Sequence, residues 1–120
     1  MSHVIKRSNG DLALAVDNGA TVTKNIKATG GRVFGFEVIN ANVAARFFQL
    51  FNTATVPTTG VTVPTLSFQV NLSAGLERGW DFFGPEGFPF VAGIAYGWST
   101  TKDVYTQATA ADGTTQIIFQ

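Results

Sequence analysis

The sequence contains no cysteine and few charged residues. Its 120 residues include one His, and only 13% are Asp, Glu, Lys or Arg, about half the usual share. Without cysteine there can be no disulfide framework and no thiolate metal site, a composition that fits folding in a reducing cytoplasm. The eight basic and eight acidic residues cancel. They form no basic run, so the electrostatic signature of a nucleic-acid-binding protein is missing.

Long apolar runs are also absent. The N-terminus, MSHVIKRSNGDLALAV, has no extended apolar core behind its basic pair, so no secretory signal is expected. The most apolar segment, residues 87–98, is too short to span a bilayer and is interrupted by Gly and Pro. We therefore expect a soluble protein that does not enter membranes. Its length suits a single domain over residues 1–120.

Phe, Val, Thr and Gly are plentiful, and no segment has the 3.6-residue periodicity of a helix. Turn-forming pairs recur at Asn9-Gly10, Asn18-Gly19, Gly30-Gly31 and Asp112-Gly113. We predict that the first four strands run as a hairpin meander up to Asn40. Within it, residues 1–20 form either an extra hairpin or an N-terminal arm.

Alternation along two later segments predicts the core. In residues 65–72 the apolar positions alternate with polar ones and should point inward: Leu66, Phe68, Val70 and Leu72. Residues 32–40 place three apolar side chains on the face that should oppose them, Phe34, Phe36 and Val38. The other face then carries Val33, Gly35, Glu37 and Ile39.

Glycines at 93 and 97 inside the apolar segment 90–100 predict a bulge or a close backbone approach. About eight or nine short antiparallel strands at this spacing predict an all-β domain. A single β-sandwich, jelly-roll-like in its winding, is favoured over a barrel.

Catalytic patterns are weak. His3 lies at the terminus, where a Ser-His-Asp arrangement is not expected. Glu77, Asp81 and Glu86 are the candidate carboxylate pairs, yet the alternation around them is typical of a solvated face. The glycine-rich stretch 30–35 lacks the Lys-Ser/Thr ending of a phosphate-binding loop, so a hairpin turn explains it better. No spacing indicates a zinc or calcium site, and we expect no enzyme activity, metal or cofactor.

Three aromatic residues leave a binding function open. Trp80, Tyr96 and Trp98 could form a stacking platform for a sugar, as in a carbohydrate- or receptor-binding module. The alternative is that they are buried in the core or at a subunit interface.

Residues 44–52, AARFFQLFN, carry large apolar groups on both faces of one predicted strand. Phe48 and Leu50 point one way, and Phe47 and Phe51 point the other. A two-layer sandwich has one interior, so the second face should be buried by a partner, or else by the N-terminal meander or by the loop 53–64. We favour a partner, with Phe47 and Phe51 facing it.

Three segments carry a family resemblance: residues 24–52, 64–70 and 87–101. They share a Lys and Gly-Arg hairpin, a strand that ends in Asn, a strand that closes on Phe-Asn, a Pro-led strand, and a Gly-x-Pro-Phe-x-x-Gly-Ile run. The matching positions are Lys27, Gly31, Arg32, Asn40, Arg46, Phe51, Asn52, Pro64, Gly87, Pro89, Phe90, Gly93 and Ile94. This pattern resembles small β-rich virion proteins of tailed bacteriophages, among them capsid decoration (cement) proteins and related head and tail components.

The resemblance implies a virion building block that is made in the host cytoplasm and assembled on a phage particle. It implies the major capsid protein as a partner and self-association, with a trimer favoured. It carries no catalytic residue. The residues that we expect at an interface are Phe47, Phe51, Arg46 and Trp98.

Overall fold

The structure is a computed structural model that describes residues 2–5, 12–17, 23–71, 74–78, 82–109 and 113–120, giving the backbone path alone for 2–5. These residues form ten strands and no helix. The strands are β1 (Ser2–Ile5), β2 (Leu12–Asp17), β3 (Thr23–Lys27), β4 (Gly31–Asn40), β5 (Arg46–Asn52), β6 (Leu66–Val70), β7 (Gly75–Arg78), β8 (Phe88–Phe90), β9 (Ile94–Ser99) and β10 (Gly113–Phe119). No helix in this part of the chain is therefore long and apolar enough to cross a membrane.

The strands build two antiparallel sheets that pack face to face. Sheet A has the order β1-β2-β10-β4-β7, with β8 also paired to β4, and sheet B has the order β3-β9-β5-β6. Each sheet places a late strand between two early ones, which is the Greek-key winding of a jelly roll. The predicted all-β sandwich with jelly-roll-like winding is confirmed.

The predicted four-strand meander is wrong beyond its first hairpin. β1 and β2 do pair, from Ser2 opposite Ala15 to Ile5 opposite Leu12. However, β3 belongs to sheet B and β4 to sheet A, so the glycine pair between them is a crossing from one sheet to the other and not a hairpin turn. A Cβ on Gly30 would lie 2.8 Å from the carbonyl oxygen of Val91, which explains why the crossing needs a residue without a side chain.

The core lies between the two sheets and is largely aromatic. Phe36 of sheet A packs against Phe48 and Phe68 of sheet B, with 5.0 Å between ring centroids in both pairs. Of the predicted core residues, Phe36, Val38 and Val70 are buried, and Leu66 and Phe68 are partly buried against the same cluster. Leu72 lies outside the described residues.

A bulge in β4 corrects the predicted faces of this strand. Ile118 pairs with Gly35, and Phe119 pairs with Val33, so Phe34 is an extra residue in the ladder. The extra residue shifts the alternation, and Val33 joins the core cluster instead of the opposite face. Phe34 is also fully buried but packs outside that cluster, beside Gly87.

The predicted close approach of another backbone segment is confirmed at Gly93, whereas at Gly97 the close neighbour is a side chain. A Cβ on Gly93 would lie 2.7 Å from the carbonyl oxygen of Lys27, at the point where the chain crosses from β8 to β9. A Cβ on Gly97 would lie 2.6 Å from the ring of Tyr105. The predicted turns at Asn9-Gly10 and Asn18-Gly19 lie outside the described residues, and so does Asp112 of the Asp112-Gly113 turn.

Candidate interaction surfaces

β5 is apolar on both of its faces, and each face has its own cover. Phe48 and Leu50 point into the core between the sheets, where both are fully buried. The alternate positions Phe47, Gln49 and Phe51 point to the outer face of sheet B. Phe51 is only 1% exposed there, so something covers it.

That cover comes from the same chain. The ring of Tyr105 stands edge-on to Phe51, with 5.4 Å between the centroids, and lies over Gly97 of the neighbouring strand. The Gln49 amide nitrogen donates hydrogen bonds to the carbonyl oxygens of Thr101 and Lys102, both at 2.9 Å. Residues 100–109 therefore pack across the outer face of sheet B, held by this ring contact and these hydrogen bonds.

Residues 53–65 are bound to this segment by backbone hydrogen bonds. The Tyr105 amide donates to the Thr62 carbonyl at 2.8 Å, and the Gly60 amide donates to the Tyr105 carbonyl at 2.6 Å. The Gln107 amide donates to Thr59 Oγ1 at 3.0 Å. We call residues 53–65 and 100–109 together the outer layer, since they add a third layer to the sandwich.

The outer layer accounts for Phe51 without a partner. The structure therefore matches the alternative in which loop 53–64 folds over the second face, with residues 100–109 supplying the direct contact. Phe47 lies on the same face and remains half-buried. A direct contact between Phe51 and another molecule would require the outer layer to lift.

Trp98 is enclosed in the core and has no exposed surface. Its indole nitrogen donates a hydrogen bond to Thr115 Oγ1 at 3.0 Å, which joins the two sheets. Tyr96 is 1% exposed, and its hydroxyl donates to Asp17 Oδ2 at 2.6 Å, a second link between the sheets. Burial and the neighbouring carboxylate raise the pKa of Tyr96.

The aromatic stacking platform thus loses two of its three residues, because Tyr96 and Trp98 present no ring face to solvent. Trp80 lies outside the described residues. Arg46, the remaining expected interface residue, is half-buried at the start of β5, and it donates to the Ala45 carbonyl at 3.1 Å.

Of the candidate carboxylates, Glu77 and Glu86 are both exposed, in agreement with the solvated face that the alternation predicts. Glu77 lies on β7, directly opposite Glu37 of β4, and both are exposed on the outer face of sheet A. Glu86 is exposed at the other end of β4, where its carbonyl accepts a hydrogen bond from Arg32 at 2.9 Å. Asp81 and the His3 side chain lie outside what the structure describes. Within the described ranges, no three His, Cys, Asp or Glu side chains group as a metal site would require.

Sequence reasoning missed the Glu37–Glu77 pair, because 40 positions separate the two residues and only strand pairing brings them together. A second feature is visible in the sequence itself. Residues 47–76 contain no charged side chain, and the part of the outer layer within this run projects three valines, Val56, Val61 and Val63, which are 52%, 70% and 70% exposed. We call these three residues the valine ridge.

Comparison with protein-family models, with curated proteins and with solved structures finds no match for this chain. The resemblance to phage virion proteins therefore stays a prediction from the sequence.

Proposed function

We propose that this chain is a structural component of a tailed-bacteriophage particle, without enzymatic activity, that binds the major capsid protein through the outer layer of sheet B. The observation that carries the proposal is the valine ridge, an exposed apolar feature inside a run of thirty residues without charge. Exposed apolar groups that are collected on one segment are typical of protein interaction sites.

Two further observations support this proposal. The segments that resemble phage proteins, 24–52, 64–70 and 87–101, contain the strands of sheet B apart from Thr23, together with β4 and β8 of sheet A. The resemblance therefore includes the sheet that supports the valine ridge. Jelly rolls also occur in viral capsid domains, which is support by analogy of fold alone.

The mechanism is non-covalent clamping. A valine that becomes buried against a neighbouring subunit contributes about 1.5–3 kcal/mol. Many copies bound to one repeating shell stabilise it more than a single copy can, because the small contribution of each contact is repeated at every equivalent position.

The first test is the composition of purified particles of the phage whose genome encodes the chain. Quantitative mass spectrometry should find the chain in a fixed ratio to the major capsid protein, as expected for a shell component. Absence from the particle contradicts the proposal, and a ratio far below that of the shell subunits would instead indicate a fibre.

The second test replaces Val61 and Val63 by Asp in the purified chain. We expect binding to particles that lack the chain to weaken by at least about 100-fold, because two apolar contacts of about 1.5–3 kcal/mol each are lost. The matched control replaces Val43 and Val91, which are 77% and 80% exposed outside the ridge. If both double variants bind like the unmodified chain, the valine ridge is not the binding surface.

A further inference from the structure

β6 is an edge strand of sheet B, and no other strand of the described ranges lies along its outer side. It pairs with β5 alone, from Leu66 opposite Leu50 to Val70 opposite Arg46, and the sheet ends there. An edge strand presents a row of main-chain N–H and C=O groups with which a further strand can pair. The side of β6 that faces away from β5 can therefore take up one more strand.

The hydrogen bonds of β5 show which of its main-chain groups point towards β6. The Leu50 carbonyl accepts from the Thr65 amide at 2.9 Å, and the Asn52 amide donates to Thr65 Oγ1 at 3.2 Å. Successive residues of a strand direct their main-chain groups to opposite sides. The even-numbered positions of β5 are therefore the ones that form hydrogen bonds with β6.

The partners of these positions on β6 are Leu66, Phe68 and Val70, so these three residues direct their main-chain groups at β5. Ser67 and Gln69 lie between them and direct theirs away from the sheet. Among the residues that the structure describes, no main-chain group forms a hydrogen bond with these two residues from the open side. β6 therefore offers two N–H groups and two C=O groups at its edge.

The other edge strands whose side chains the structure describes carry features that hinder such pairing. β3 contains Lys24 and Lys27, β7 contains Glu77 and Arg78, and β8 contains Pro89. Charged side chains and proline keep the edges of natural sheets from pairing with other chains. β6 has the sequence LSFQV, which contains neither. Its unprotected edge is what a strand that pairs with another molecule requires.

Exposed aromatic surface lies beside this edge. Phe68 is partly exposed in the middle of β6, and the Phe82 ring, which is 46% exposed, stands edge-on to it with 6.5 Å between the centroids. A strand that pairs with β6 therefore approaches apolar surface as well as main-chain donors and acceptors, and both contribute to binding.

We propose that two copies of this chain join their B sheets edge to edge, through antiparallel pairing of β6 with β6 about a two-fold axis at Phe68. Ser67 of each copy then lies opposite Gln69 of the other, and the two residues exchange both of their main-chain hydrogen bonds. The axis repeats this pair, so the interface has four main-chain hydrogen bonds and joins two four-stranded sheets into one. The two copies of Phe68 lie directly opposite each other, a position in which aromatic pairs stabilise antiparallel sheets.

A second copy fits this edge because β6 is complementary to itself. The strand has five residues, and its outward groups lie symmetrically on both sides of Phe68, so the register that pairs the whole strand also forms all four hydrogen bonds. A two-fold interface requires such self-complementarity. Positions 47–76 carry no charged residue, so the rotation brings no like charges together along the paired strands.

The first measurement is hydrogen exchange of the unmodified chain, followed by NMR at several protein concentrations without any phage particle. The Ser67 and Gln69 amides face water in the monomer and are hydrogen-bonded in the dimer. Their exchange should slow by at least about tenfold as the concentration rises, in step with the dimer mass from sedimentation equilibrium. If the chain is a dimer at every concentration, both amides should be protected throughout. The Phe68 amide is the internal control, because it points at β5 in either state.

The second measurement uses Gln69→Pro, which removes an outward N–H group and leaves the hydrogen bonds between β5 and β6 in place. Each dimer loses two of its four main-chain hydrogen bonds, so the dissociation constant should rise by at least about tenfold. Gln69→Ala is the matched control, since it keeps the N–H group and should dimerise like the unmodified chain. Circular dichroism verifies that both variants are folded. The exchange measurement needs no substitution, so it decides the proposal even if the proline variant does not fold.

Several results would overturn the proposal. They are a chain that stays monomeric, a trimer, a dimer in which the Ser67 and Gln69 amides exchange freely, or a folded Gln69→Pro variant that dimerises normally. Protection of these amides only after the major capsid protein is added would assign the edge to a strand of that partner instead. Loss of particle binding in the valine-ridge variant would leave the masses and exchange rates unchanged, so this proposal and the proposed function can fail separately.

Discussion

At the scale of single residues, the face on which a side chain lies decides its role more than its chemical type does. Phe48 and Phe68 are both phenylalanines and direct partners across β5 and β6, and each packs near Phe36. Phe48 is fully buried on a central strand, whereas Phe68 is partly exposed on the edge strand. The same residue type therefore stabilises the fold to different extents at two paired positions.

This difference gives a prediction for the two truncations. Phe48→Ala should lower the free energy of unfolding by about 3–5 kcal/mol, the usual cost for a buried Phe. Phe68→Ala should cost less, about 2–3 kcal/mol, because part of its ring is already in water. Urea denaturation of both variants measures the two values. A cost for Phe68 equal to that for Phe48, or one below about 1 kcal/mol, would contradict the position of β6.

At the scale of elements, the outer layer is what distinguishes this sandwich from two bare sheets. Its contact with sheet B depends on a missing side chain: Gly97 lets the Tyr105 ring approach the strand, and Tyr105 in turn covers Phe51. Loss of this close approach should loosen the layer while the core between the sheets stays in place.

The corresponding prediction uses two glycines. In Gly97→Ala the new methyl group would lie 2.6 Å from the Tyr105 ring, so the ring must move, and we expect a loss of about 1–3 kcal/mol. Gly75→Ala is the matched control, because its nearest atom would be 3.5 Å away and its stability should stay within about 0.5 kcal/mol. Hydrogen exchange should be faster at the Gly60 and Tyr105 amides in the Gly97 variant alone. Unchanged exchange there would mean that the layer does not depend on this contact.

The elements also show what the sequence can predict. Alternation is a local signal, and it identified Phe36, Val38 and Val70 as core residues because each lies in a stretch of strand without a bulge. The bulge at Phe34 and the assignment of β3 and β4 to different sheets depend on pairing with residues 94–97 and 113–119, which no local pattern encodes.

For the candidate site, the two apolar faces of β5 predicted a cover for Phe51 but could not decide between a partner and the chain itself. The cover is Tyr105, which lies more than fifty positions further along the chain. The residues around Tyr105 in the sequence do not predict that its ring packs over Gly97. The pairing of Glu37 with Glu77 was hidden for the same reason.

At the scale of the whole molecule, the two tyrosines lie in the two buried regions of the structure, one in each. They are the only tyrosines in the sequence, and both are buried: Tyr96 in the core between the sheets and Tyr105 beneath the outer layer. Burial raises the pKa of each above its ordinary value of 10.0, and for Tyr96 the hydrogen bond to Asp17 adds to the effect. In the folded chain, each hydroxyl therefore ionises at a higher pH than a tyrosine in solvent does.

This arrangement predicts how stability depends on alkaline pH. A folded-state pKa that lies above the unfolded value means that the contribution is complete below pH 10 and is lost as the pH rises, because the unfolded chain then releases protons that the folded chain retains. Between its unfolded and its folded pKa, each tyrosine should lower the free energy of unfolding by up to about 1.4 kcal/mol per pH unit. Phenolate absorbance and the circular dichroism of the strands, followed in one alkaline titration, should change together. In Tyr105→Phe the ring still packs on Phe51, so the free energy of unfolding should fall less steeply with pH while the two signals still change together. Phenolate that forms before the strand signal changes would show that at least one tyrosine reaches solvent in the folded chain, and the Tyr105→Phe titration would show which one.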